Sequence, residues 1–441
     1  MPRKFKPHIA YLKILIVGNG GRENAIAYAV YNSDSFKRNS GKLYITGSNP
    51  GSEIFAESVS IEPTDLKSLS EFALLNNIDL TIAGPEIPLS MGIADEFISK
   101  GLKIFGPTKK AAEIESSKIF SKELMKKAGV PTADFRSFSS EDITTAEEFL
   151  GKSEYPLVLK ADGLAAGKGV VIAENFEEAY ETLKEFCSGE KFGKSANRFL
   201  TERFLTGEEV SVFAVTDGTD HVLLPFSQDH KKISEGETGK NTGGMGAVCP
   251  VKKFMTDEMV FKINSKIVKP VLKQMKKDGR EFKGCLYCGL MIVKDEPFVI
   301  EFNCRFGDPE TQAVLPLIES DFTELLFASA ENEISEYSLK VKEEYSCCVV
   351  LASEGYPDSY EKGKRITGLD KTGGSCIVFQ SGTKKTGNEI ITDGGRVLSV
   401  TGISKTSLSD AVKTAYENAG KIEFENKYYR KDIGFRQLNN I

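Results

Sequence analysis

The sequence predicts a multidomain protein of mixed α/β and α+β class, and three observations along its 441 residues carry that prediction. An apolar strand at 12–17 runs straight into a glycine turn and a helical pattern, the opening of a doubly wound parallel sheet. Two later segments, 155–173 and 199–215, each repeat strand, polar break and strand. From about Tyr345, short strands with a glycine at each turn and one amphipathic helix over 407–420 predict a small α+β unit.

Composition narrows the partners. The 57 basic and 63 acidic residues are interspersed and leave a net charge of −6, which argues against nucleic acid or an anionic membrane. Of eight scattered cysteines only Cys285 and Cys288 fall in a CxxC spacing, inside the apolar run GCLYCGLMIV, so they read as core residues in a reducing, cytoplasmic protein. No apolar run has the length to span a bilayer, and residues 1–11 read as a loose extension.

In the first unit, Gly18, Gly20 and Gly21 set backbone amides and a helix N-terminus towards an anion. Arg22 and Glu23 stand where GxGxxG would keep its last glycine, so a phosphate or phosphosugar fits at least as well as a dinucleotide. Strand-like KLYITG, IDLTIAGPEIPL and LKIFGP alternate with helical stretches, which gives a parallel sheet of roughly four or five strands. GPE follows a strand and places Glu86 at the carboxyl edge, where open α/β sheets bind ligands.

Residues 111–128 read as one amphipathic helix carrying Lys118. Lys160 closes the apolar strand of YPLVLK, and DGLAAGKG (162–169, with Gly167, Lys168 and Gly169) connects it to a second strand. This loop lacks the P-loop order and reads as a flap over a triphosphate. Glu202 and Glu209 bracket a connector, Arg203, Phe204 and Leu205, whose backbone suits a purine edge. Residues 224–250 are long, polar and glycine-rich, and with Asp229, His230, Lys231 and the 241–246 glycines they read as a substrate loop. Three histidines in the whole chain leave neither a serine triad nor a histidine metal cage.

The stretch 299–312, VIEFNCRFGDPETQ, gathers the chemistry. Side chains two apart on a strand share a face, so Glu301, Asn303 and Arg305 form one polar row while Ile300, Phe302 and Cys304 face a core. Two oxygen donors at i and i+2 suit Mg²⁺, and Arg305 suits an anion beside it.

GNGGRE, GPE, KIFGPT, LKADGLAAGKGV, SQDHK, NTGGMG, EFNCRFGDPETQ, GGRVL and RKDIG occur in the order seen in the phosphoribosylamine–glycine ligases, and the chain resembles that ATP-grasp family from Leu12 to its end. The resemblance implies a Rossmann-like N-terminal domain (12–114), a central ATP-grasp domain (115–132 and 194–340), a small flap domain (133–193) and an α+β C-terminal domain (341–441). It implies ligation of glycine to 5-phosphoribosylamine through glycyl phosphate, with ATP and Mg²⁺ (or Mn²⁺). A monofunctional monomer with small-molecule partners, without nucleic acid or membrane, is expected. Lys118 and Lys160 resemble the lysines on ATP phosphates, and Glu202 and Glu209 the acids on adenine and ribose. Arg203 to Leu205 resemble the backbone that reads the purine edge, and Glu301 and Asn303 the metal ligands. Arg305, Asp229, Lys231, Asp308 and the loop with Asn241, Gly243, Gly244, Met245 and Gly246 resemble the glycine and phosphoribosyl contacts, joined by Gly20, Gly21, Arg22, Glu23 and Glu86. The chain departs from the family at Asn24, a histidine there, and Lys240, a proline there. GCLYCGLMIV offers no acid as a third metal ligand. A related ligase using bicarbonate is the nearest alternative.

Overall fold

The computed structural model describes residues 11–164, 169–188 and 198–438. Gly167 and Lys168 lie outside them. Strands β1 (Lys13–Val17), β2 (Lys42–Thr46), β3 (Glu57–Val59), β4 (Leu80–Ala83) and β5 (Ile104–Phe105) form a parallel sheet in the order β3-β2-β1-β4-β5. Helices α1 (Gly21–Asn32), α2 (Asp34–Arg38), α3 (Leu66–Leu75), α4 (Glu86–Met91) and α5 (Ile93–Ser99) accompany it. β1 and β4 are buried almost throughout, as strands of a parallel sheet covered on both faces must be. The strand order reverses between β1 and β4, and the turns that leave those two strands meet there. Gly18 makes the meeting possible: its φ is +108°, and a Cβ would come within 2.9 Å of Glu23 and Pro85.

The helix expected over 111–128 is two helices, α6 (Lys109–Ser116) and α7 (Lys118–Ala128). Ser117 interrupts them in extended conformation, and its hydroxyl accepts the Phe120 N–H at 3.1 Å. A serine that caps a new helix in this way outcompetes continuation, and it puts Lys118 in the first turn of α7.

Strands β6 (Phe135–Ser139), β7 (Leu157–Ala161), β8 (Val170–Ala173) and β9 (Arg198–Arg203) form an antiparallel sheet in the order β6-β9-β7-β8. The chain continues through β10 (Glu208–Thr216), β11 (His221–Leu223), β12 (Gln228–Asp229), β13 (Lys232–Ser234), β14 (Thr238–Asn241), β15 (Gly246–Cys249), β16 (Gly284–Val293) and β17 (Glu296–Asn303). β9 and β10 sit in different sheets, because β10 pairs with β11 and β16, and β16 pairs with β17. The 204–207 connector therefore crosses between two sheets instead of closing a hairpin.

Residues 224–250, expected as a loop, carry four short strands. β13 and β14 pair, and β12 and β15 join β18 (Tyr345–Ser353) in a sheet with later C-terminal strands. Buried backbone needs hydrogen-bond partners, and β18 supplies them. In the C-terminal part, β19 (Arg365–Ile366), β21 (Thr383–Thr386) and β22 (Glu389–Thr392) form a small sheet, while β20 (Cys376–Gln380) and β23 (Arg396–Ser404) extend from β18. The helix Leu408–Ala419 packs through Ala411, Ala415 and Ala419. Cys285 and Cys288 are buried and free, as core residues.

A buried ion network ties the 230–237 segment to the C-terminal end. Arg430, fully buried, meets Asp432 and Glu237 at 2.8 Å and donates to the Lys232 carbonyl at 3.0 Å. His230 accepts the Gly434 N–H at Nε2, so its Nδ1 proton is free to be donated to Glu237 at 3.0 Å. Burial opposes the Glu237 charge, but the His230 bond and the Arg436 and Arg430 charges pull its pKa down to about 2. The folded chain therefore keeps Glu237 ionised where the unfolded chain binds a proton. Its contribution is complete at neutral pH and fades as pH falls below the ordinary glutamate range towards 2. Glu237→Gln is expected to cost about 2 kcal/mol at pH 7, with the gap to the parent narrowing between about pH 5 and 3 in denaturant unfolding.

Candidate active site

The polar row forms at the end of β17, with one change from the alternating pattern. Gly289 of β16 pairs with Glu301 but Leu290 pairs with Val299, so Ile300 is the extra residue of a β-bulge. Val299 and Phe302 are buried and Ile300 is only half-buried, which corrects its expected place in the core. The bulge aims the Ile300 carbonyl at Lys160 Nζ, 3.3 Å away, and leaves Glu301 and Asn303 half-buried. A Cβ at Gly289 would lie 3.3 Å from Glu301 Cγ, so a longer side chain opposite the row would crowd it.

Four cations from four segments surround Glu301. Burial alone would raise its carboxyl, yet Lys231, Lys160, Lys118 and Arg305 together hold it below the usual range. Arg305 is clamped in turn: Nη2 lies 2.9 Å from Glu115 and Nε 3.4 Å from Glu86. Glu115 also accepts the Cys304 N–H at 2.7 Å, and Glu86 lies 3.9 Å from Arg22, which pairs with Glu23 at 2.6 Å. Burial opposes the Arg305 charge, but Glu115 and Glu86 keep it protonated. Glu23 also accepts the Gly20 N–H at 2.8 Å, closing the turn before Gly21.

Lys118 donates to the Gly163 carbonyl at 2.8 Å, and burial lowers its pKa. Lys160 sits 2.9 Å from Glu202, both about 5% exposed. Glu202 thus lies beneath the lysines and away from the surface. Glu209 pairs with Lys231 at 2.7 Å, next to Asp229, whose burial and the nearby Glu310 and Glu209 push its carboxyl up to about 7 against the pull of Lys231. The Arg203 side chain is exposed and its N–H is used by the Asp134 carbonyl at 2.9 Å, while Phe204 and Leu205 are half-buried in the connector. Gly169, at the foot of the flap loop, accepts the Ala161 N–H.

Arg396 joins the Gly243 and Asp308 segments. Its Nη1 donates to the Gly243 carbonyl at 2.7 Å and the Asp308 carbonyl at 2.8 Å and lies 3.1 Å from the Asp308 carboxylate. Burial raises the Asp308 carboxyl, but Arg396 and Arg22 outweigh it and hold it low. Met245 and Gly246 are buried, and the Met245 side chain is part of the C-terminal core, so that residue offers a ligand its backbone only. Asn241 ends β14 half-buried. Of the two departures, Lys240 points outward to Asp358 at 2.6 Å, and buried Asn24 accepts the Gln380 N–H at 2.8 Å while its Nδ2 has no partner among the described residues.

The phosphoribosylglycinamide synthetase N domain matches residues 12–115, its ATP-grasp (A) domain residues 116–311 and its C domain residues 346–436. The chain belongs to the phosphoribosylglycinamide synthetase family. The phosphoribosylamine–glycine ligase of Caldanaerobacter subterraneus is 44% identical over 96% of this chain and 99% of that protein. A crystal structure of the Thermotoga maritima phosphoribosylamine–glycine ligase superposes with a TM-score of 0.82 at 32% identity, covering 96% of this chain and all of that one. The biotin carboxylase domain of Hydrogenobacter thermophilus 2-oxoglutarate carboxylase shares the fold, with a TM-score of 0.70 at 18% identity over 97% of this chain and 98% of that one. Multidomain α/β and α+β architecture with an ATP-grasp core is thus the fold of this family member.

Residue-level reading of the sequence missed Glu115, Lys122, Thr132, Glu310 and Arg396. Lys122 had a signal, since it follows Lys118 by one helical turn. Glu115 and Arg396 had none, because their partners are distant in sequence. Glu115→Ala strips the buried Arg305 of its shorter ion pair and is expected to cost about 3 kcal/mol in urea unfolding. Lys240→Ala, which breaks an exposed pair, is expected to change stability by less than about 0.5 kcal/mol.

Proposed function

We infer that this chain joins glycine to 5-phosphoribosylamine using ATP, forming glycinamide ribonucleotide, ADP and phosphate in purine synthesis. Family membership supports the reaction, and one observation carries the site assignment: the Glu301 carboxylate lies among four cations on separate segments, one of them the doubly paired Arg305. The four-part division at 12–114, 115–132 with 194–340, 133–193 and 341–441 belongs to the same proposal, as does a cytoplasmic monomer acting on small molecules.

Glu301 and Asn303 are the proposed Mg²⁺ ligands. Among the described residues no three His, Cys, Asp or Glu side chains form a closed cage, and an open pair of oxygen donors fits an ion that keeps phosphate oxygens and water. Bound there, Mg²⁺ supplies charge neutralisation and alignment of the phosphates.

A carboxylate has no leaving group that an amine can displace at a useful rate. Lys118 and Lys160 neutralise the triphosphate, Glu209 and the 203–205 connector hold the nucleoside, and Glu202 stays beneath Lys160 as its counter-ion. Arg305 holds the glycine carboxylate in line. One carboxylate oxygen attacks the γ-phosphorus as the bond to ADP breaks, giving glycyl phosphate. The amine of phosphoribosylamine, held by Gly20 to Glu23, Glu86, Asp308 and the Asn241–Gly246 loop, attacks the carbonyl carbon. The carbon–oxygen bond to phosphate breaks, and the extra proton on nitrogen passes to Asp229, whose carboxyl exchanges protons near neutrality. Lys231 sets the charge of that corner, and closing the site keeps water from the acyl phosphate.

Phosphate release assayed with ATP, glycine and freshly prepared phosphoribosylamine, each omitted in turn, tests the reading. Full release is expected only with all three. Release that is independent of glycine and driven by bicarbonate would refute it.

A further inference from the structure

Lys122 is among the most deeply buried large side chains of the protein, 2% exposed on the inner face of α7. Its ammonium lies 3.1 Å from Glu202 Oε2 and donates to the Thr132 hydroxyl at 2.5 Å. Thr132 passes the bond on to the Val299 carbonyl at 2.6 Å, the residue just before the bulge of β17. Lys160 spans the same carboxylate, donating to Oε2 at 3.0 Å and lying 2.9 Å from Oε1. Two lysines therefore share one buried carboxylate, and α7, β7, β9 and β17 meet at it.

Such a triad is an unfavourable way to fill a core, since three charges are desolvated around one carboxylate and an apolar cluster of equal volume would be at least as stable. It also carries one excess positive charge. Burial and the neighbouring Lys160 lower the Lys122 pKa to about 8 despite Glu202, with Glu301 also facing it, so the group is a cation short of negative charge.

We propose that Lys122 is a positioning residue for the nucleotide: it pins Glu202 against β17 so that Lys160 is held above the bulge, aimed at the anion that completes the cluster. With Lys122 present Glu202 is shared between two cations; without it Lys160 is the one lysine left on the carboxylate and is neutralised by it, and phosphate binding weakens. The proposal rests on the reading that Lys160 contacts ATP phosphates, and it makes no claim about glycine.

The test is equilibrium titration of the full chain with MgADP, for the parent, Lys122→Met, Glu202→Gln and the double variant, with thermal unfolding as the fold control. Lys122→Met is expected to weaken MgADP binding about tenfold or more while the KM for glycine stays within about twofold. In the Glu202→Gln background the same change is expected to cost less than about threefold, because the carboxylate that Lys122 restrains is gone. Lys122→Gln, which keeps a donor to Thr132, replaces Lys122→Met if that variant does not fold. Parent-like MgADP affinity in a folded Lys122 variant, or an equal loss in both backgrounds, would overturn the proposal. Glycine-independent turnover with Lys122-sensitive MgADP binding would overturn the glycine reading and leave this one standing.

Discussion

Arg305 between Glu115 and Glu86 is the contact on which the arrangement of the site depends. A guanidinium this deep is tolerable only if its charge is paired, and its two partners come from other parts of the fold. Glu115 ends α6, the link out of the parallel sheet, and Glu86 opens α4 at the carboxyl edge of that sheet. Arg22 and Glu23 extend the chain of charge into the glycine turn at α1. The end of β17 is thereby fixed to the N-terminal sheet by ion pairs whose loss would strand a buried charge. Glu115 adds a backbone bond to Cys304, so the same carboxylate sets both the arginine and the strand end that carries it.

The rest of the site follows from local devices with clear physical causes. Ser117 breaks a long helix and delivers Lys118 to the start of α7. The Ile300 bulge changes the phase of β17, so that Val299 and Phe302 fill the core on either side of it while Glu301 and Asn303 stay accessible. Arg396 reaches from β23 to the carbonyls of Gly243 and Asp308 and binds two segments that share no sheet register. Glu301 is the point on which the electrostatics converge, since Lys231, Lys160 of β7, Lys118 of α7 and Arg305 together hold its carboxyl low against burial.

Much of this was legible in the sequence, for stated reasons. The strand and glycine turn at 12–21 show because a parallel βα unit writes its burial and its turn into consecutive residues. Glu301, Asn303 and Arg305 show because strand period two places them together, although the same rule misplaces Ile300, since a bulge has no signature in alternation. The helix break at Ser117 hides inside a pattern that stays amphipathic across it. The strands within 224–250 hide because they are two to four residues long, and β15, which carries β12 into the larger sheet, has its partner β18 about a hundred residues away. Glu115, Thr132 and Arg396 are ordinary polar residues until the fold brings their partners to them. Family resemblance supplied roles that spacing alone left open, above all for Glu202 and Glu209.

The central claim is that the glycine carboxylate is activated by phosphorylation beside the Glu301, Asn303 and Arg305 row. The most direct measurement is turnover with glycine labelled with ¹⁸O in both carboxylate oxygens, followed by mass analysis of the released phosphate. One labelled oxygen in each phosphate is expected, because the oxygen that attacks the γ-phosphorus leaves with it. Unlabelled phosphate, released in step with product, would contradict the account.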